Sequence, residues 1–175
     1  MLGHSDIGKA TQTKYGDYTV YSGTDILGQS TTADYFYNFW TSLEHPSRKD
    51  INPNEMTPYL ERLVMMDVLP KGEDFALHVR LIGTFVANFY GEISGNDIRA
   101  MPNKQAAARI YSVSKMIVEQ KEPLLTITPG FSDDRKYLEA LALYMPLFDD
   151  KGTVEKIMVC VDIVSLNPKK QLHPA

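Results

Sequence analysis

The stretch FALHVRLIGTFVANFYGEISGNDIRAM, Phe75 to Met101, changes its hydrophobic period partway along, and that change decides how the chain folds. Leu77, Val79 and Leu81 alternate with His78, Arg80 and Ile82, the period of two expected of a strand with at least one buried face. Behind Thr84, a residue able to cap a helix start, Phe85, Val86, Phe89 and Tyr90 fall at helical spacing. Gly91 stands where a left-handed C-terminal residue is wanted, and Gly95 closes the next turn. A strand that runs into a short helix ending between two glycines suits a cup, with a sheet edge first and a lid folded over it.

Working outward, Asn103 to Lys121 places Ala107, Ile110, Tyr111, Ser114, Ile117 and Val118 at helical intervals, which predicts a long helix crossing the sheet. Pro123 ends it and Leu124 to Thr128 begins the third strand. A polar turn, SDDRK (132–136), precedes a fourth strand from Tyr137 to Phe148. Asp149-Asp150-Lys151-Gly152 then makes a tight hairpin into a last strand, Val154 to Val164. These last two strands are apolar on both alternating faces, so something must cover the sheet on each side. Upstream, Val64 to Leu69 is the first core strand, and Met56 to Arg62 is a short helix with Pro58 in its first turn.

Further upstream, Thr31-x-x-Asp34 predicts a capping box, after which Phe36, Phe39, Trp40 and Leu43 fall at i, i+3, i+4 and i+7. That apolar stripe must bury itself on the outer face of the sheet, on a second copy of the protein, or on both. Residues 1–30 are rich in Gly, Ser, Thr and Tyr and are expected to form a flexible or partly ordered arm. Within them YGDYTVYSG (15–23) could make one isolated strand.

Three further segments complete a family likeness: PSRKDINP (46–53), RLIGTFVANFYGEISGNDI (80–98) and YLEALALYMPLFDDKGTVEKIMVCVDIV (137–164). With them the chain resembles a PAS domain, and more narrowly the single-domain PAS family common in alphaproteobacteria. The resemblance runs from about Thr31 to Val164, giving a PAS domain over 31–164 and a tail over 165–175. It implies an α+β PAS fold: a five-stranded antiparallel sheet with helices packed on one face and an N-terminal helix preceding the core. It also implies an enclosed space beneath the lid that can take a metabolite or dock a partner.

Composition narrows the functional classes. With 43% hydrophobic and 23% charged residues the 175-residue chain is an ordinary folded domain rather than a disordered one. Its net charge of −4, with basic residues scattered, argues against nucleic acid. No apolar run reaches the roughly eighteen residues a membrane span needs. The lone Cys160 lies in the apolar run IMVCVDIV and points to a reducing cytoplasm; the start MLGHSDIGKA lacks an export signal.

No phosphate loop, metal-ligand spacing or nucleophile elbow occurs, so no catalytic and no metal residue is assigned and no cofactor is required. His78 and Arg80 share a strand face and are candidate ligand-binding residues: Arg80 could grip a carboxylate or phosphate, and His78 could titrate or hold a haem iron. The plainer reading, which the sequence favours, places both on the outer face near a sheet edge, solvated or paired with an acidic neighbour. Tyr90, Tyr111 and Tyr144 are candidate cavity residues or ordinary core tyrosines. Cys160 reads as a buried, inert thiol, because the Asn-Cys-Arg-Phe motif of flavin-binding relatives is missing. The expected function is a stand-alone sensory module without catalytic output, acting as a homodimer, on a signalling partner or with a small ligand. The alternative is a small-molecule or haem carrier.

Overall fold

The computed structural model describes residues 13–15, 18–129 and 138–165. Its strands are β1 (Thr13–Tyr15), β2 (Tyr18–Ser22), β3 (Leu63–Lys71), β4 (Asp74–Ile82), β5 (Leu124–Pro129), β6 (Leu138–Phe148) and β7 (Val154–Ser165). The helices are α1 (Thr31–Thr41), α2 (Thr84–Tyr90) and α3 (Lys104–Gln120). All strands lie in one sheet, ordered β1-β2-β5-β6-β7-β3-β4, with every pairing antiparallel. Among the described residues no helix is long and apolar enough to cross a membrane.

The five expected strands, β3 to β7, are contiguous in that order, and two more extend the sheet. β2 pairs along β5 from Thr19↔Ile127 to Ser22↔Leu124 and β1 pairs on β2, so Thr13–Tyr15 and Tyr18–Ser22 of the expected arm join the sheet. The reason is physical: β5 would otherwise present a row of unpaired backbone groups at an edge, and Tyr18, Val20 and Ile26 all find buried places. Residues 1–12 of the expected arm, the SDDRK turn and the tail beyond Ser165 lie outside the described residues.

The sheet carries a separate core on each face. On one, α2 and α3 cover Val64, Met66, Leu77, Val79, Val159 and Val161. On the other, α1 and the 3₁₀ turns of 53–62 cover Leu63, Met65, Leu125, Leu143, Met145 and Cys160. Phe36 is fully buried in this second core, and Phe39 and Trp40 pack on it at half-burial. The Trp40 indole N–H donates to the Pro146 carbonyl at 2.8 Å. Leu43, beyond the end of α1, is half-buried.

Local chemistry adjusts two sequence expectations. Ser30, not Thr31, caps α1: its Oγ accepts from the Ala33 N–H at 2.9 Å, while Asp34 accepts from the Gly28 N–H at 3.0 Å. The segment expected as a helix over 56–62 is instead a 3₁₀ turn, Thr57–Arg62, behind a second one, Pro53–Glu55. Each carries a proline in its first positions, where the missing N–H is tolerated and short tight turns suffice.

Two glycines set the lid. Gly83 joins β4 to α2 so close to the preceding turn that a Cβ there would lie 2.2 Å from the Glu61 carbonyl oxygen. Gly91 ends α2 at φ 90° and ψ 161°, a positive φ as expected but with extended ψ, and its N–H donates to Ala87.

Candidate functional site

Beneath α2 and α3 the sheet borders a partly open cavity of about 50 Å³. Its existence follows from side-chain size along two strands. On β6, Ala140 and Ala142 face the cavity while Leu141 and Leu143 face α1; on β5, Thr126 and Thr128 face it while Leu125 and Ile127 point away. Short side chains on the lid face leave a space that Met66, Ile82, Val86, Ile93 and Ile98 surround without filling.

Among the described residues the cavity wall is apolar except for one cluster. Arg109 of α3 reaches its wall together with Tyr90, Tyr144, Thr126 and Thr128. Arg109 hydrogen-bonds the Tyr90 hydroxyl, and Thr126 hydrogen-bonds that of Tyr144. Burial pushes both phenols above their usual value; the Arg109 charge opposes this without overcoming it, so both hydroxyls stay neutral. Arg109 is half-buried, and among the described residues no carboxylate forms an ion pair with it.

Of the residues singled out in the sequence, Tyr90 and Tyr144 line this cavity and the other three lie outside it. Tyr111 projects toward the β3–β4 turn, where it stacks on Phe75 with centroids 5.2 Å apart and its hydroxyl donates to Asp74. His78 faces away from the cavity, half-buried, with Nε2 2.9 Å from the Gly95 carbonyl. Arg80 occupies a β-bulge: Met65 pairs with Leu81 and Met66 with Val79, leaving Arg80 as the extra residue. The bulge reverses the alternation beyond it, so Ile82 turns into the lid-side core and Leu81 is 50% exposed. Strict alternation over 77–82 therefore fails at its last two positions.

Arg80 instead serves the outer face. Asp67, buried on β3, accepts from Arg80 and from the Lys156 ammonium of β7. Desolvation is the largest single influence on Asp67 and raises its pKa, but the two cations together hold it below the usual carboxylate value. Cys160 also lies on the α1 side; burial pushes its pKa up to about 12, and the sheet separates it from the cavity.

One further side chain ties the lid down. Arg62 donates to Asp162 of β7 at 2.8 Å and sits 4.0 Å over the Phe85 ring at the start of α2. Together with Gly83 this fixes the N-terminal end of the lid against the sheet.

Sequence reasoning missed Arg109, Thr126, Thr128, Ala140 and Ala142. A signal was present: the strict small–large alternation of ALAL (140–143) and LTIT (125–128) marks one face as short of volume. Arg109 gave no such sign: one residue, or about 100° of turn, before Ile110, it lies outside the predicted apolar stripe.

A sheet of this antiparallel order, with a lid of helices between its second and third core strands, defines a PAS-type cup. A family model described as PAS domain matches residues 28–161, and the chain belongs to that family of sensory modules. No curated protein matches it. Among solved structures it is similar to one described as "Structure of an RNA-binding Light-Oxygen-Voltage Receptor", with a TM-score of 0.45 and 12% identity, over 69% of this chain and 36% of that chain. This chain thus spans about a third of the length of that receptor.

Proposed function

We propose that the protein is a sensory and regulatory module of signal transduction, in which a small molecule held in the lid-side cavity alters contacts with a partner protein or a second copy. The observation that carries this reading is the cavity itself, apolar around most of its wall and, among the described residues, polar only at Arg109, Tyr90, Tyr144 and the two threonines. A few convergent polar groups in an otherwise apolar recess are what fixes a ligand's orientation. The lid is anchored at one end by Gly83 and Arg62, so occupancy would act on its remainder, from Gly91 to α3.

The output is by contact and not by catalysis. Tyr35 and Tyr59 stack at 4.5 Å beside α1, and Tyr35 stays 37% exposed, so α1 retains apolar surface for a homodimer after burying Phe36. A reducing cytoplasm suits the buried thiol of Cys160. The reading of the cup as a haem carrier has less support: about 50 Å³ compares with roughly 300–1,000 Å³ for ligand pockets, and His78 lies on the opposite face. Native mass spectrometry combined with light scattering tests the proposal. A small-molecule adduct on a dimer is expected, whereas a bare monomer that captures neither ligand nor partner overturns it.

A further inference from the structure

We propose that the cavity's ligand is a short-chain monocarboxylate, its carboxylate on Arg109 and its short apolar tail toward Met66, Val86 and Ile98. This rests on the reading of the cavity as a ligand site and adds the chemical class.

Two observations combine. First, the only charge among the described residues of the cavity wall is a guanidinium, a group with five donors in a planar fork suited to a carboxylate. Its hydrogen bond to Tyr90 leaves donors over, and no carboxylate among the described residues forms an ion pair with it. A half-buried cation against apolar walls is costly to leave uncompensated, and an incoming anion supplies charge-assisted hydrogen bonds. The neighbouring hydroxyls of Tyr90 and Tyr144 are neutral, and so are those of Thr126 and Thr128. Thr126 already hydrogen-bonds Tyr144, and none of the four groups carries a charge that repels a carboxylate.

Second, size limits the tail. A cavity of about 50 Å³ is well below the roughly 300–1,000 Å³ of pockets that take drug-sized ligands, which favours a ligand of few heavy atoms such as propionate and its near neighbours. A dicarboxylate would place its second charge among Met66, Val86 and Ile98, where no described cation stands.

The test is thermal denaturation and calorimetry with sodium propionate, and with propionamide as the uncharged isostere at equal ionic strength. Saturable stabilisation by propionate, at least tenfold tighter than by propionamide, is expected. Arg109→Met should lose that preference and Arg109→Lys should retain part of it. Ala142→Ile, which leaves Arg109 in place but fills the recess, should abolish binding of both probes; circular dichroism checks that each variant folds. If propionamide binds as well as propionate, the anion assignment fails while the cavity remains a ligand site. If neither probe binds the wild-type protein, both the carboxylate and the ligand-site reading fail.

Discussion

The two faces of the sheet are built from the same strands yet packed by opposite rules. On the α1 face, Leu141, Leu143, Met145 and Leu147 of β6 meet Phe36, Met56 and Cys160 in a continuous apolar core. On the lid face the intervening residues of that strand are Ala140, Ala142 and Tyr144, and a cavity opens over them. A strand's period of two thus lets one segment build a solid core and a recess back to back. The comparison teaches how one sheet can carry a core on each face and still keep a recess on one: the lid face buries Val64, Met66, Leu77 and Val79 and leaves space only over its short side chains.

The comparison can be broken most strongly at Leu143. Leu143→Ala on the filled face should cost about 2–5 kcal/mol. That is a fall in Tm of several degrees to well over ten, at about 2–4 °C per kcal/mol for a domain of this size. A loss no larger than that of a surface substitution would show that the α1 face is not the solid one.

Much of this was legible in the residues beforehand. The period change at Gly83 located β4 and the lid, and the stripe of Phe36, Phe39 and Trp40 located the helix that covers the outer face. The Arg80 bulge was not legible, because pairing of β3 with β4 determines it and strict alternation gives no sign of an extra residue. Nor was the pairing of β2 with β5, which joins segments about a hundred residues apart. In the site, Tyr90 and Tyr144 are placed by elements whose identity the sequence reveals. Arg80, read either as an anion partner in the cavity or as an outer-face residue paired with an acidic neighbour, pairs with Asp67, and Arg109 is the arginine that reaches the cavity wall.

Asp67 provides the next largest effect. Asp67→Asn removes the carboxylate between Arg80 and Lys156 and should cost about 1–3 kcal/mol at neutral pH, since Lys156 is left poorly solvated while Arg80 is largely exposed. Because the folded pKa of Asp67 lies below its unfolded value of about 3.9, its contribution is complete above that value. It is lost as pH falls through the folded pKa. Acid unfolding followed by circular dichroism should therefore show a flatter pH dependence below about pH 4 in the variant than in the wild type.

A smaller effect sharpens the contrast directly. Ala33→Ile on the filled face should overpack it by about 1–3 kcal/mol, while Ala142→Ile on the lid face should cost less than about 1.5 kcal/mol because a cavity receives the added carbons. Equal costs in chemical denaturation would erase the difference between the faces. The smallest expected effect is at Cys160. With its pKa pushed up to about 12 and 2% exposure, it should resist a thiol-specific chromogenic reagent at pH 8 in the native state and react only after denaturation.

Methyl-resolved NMR during a propionate titration tests most directly whether the two faces divide labour in this way. Saturable shifts at the methyls of Ala140, Ala142, Ile98 and Val161, with those of Leu141, Leu143 and Met145 nearly unmoved, are the predicted result. Shifts concentrated on the α1 side, or none on either side, would contradict it.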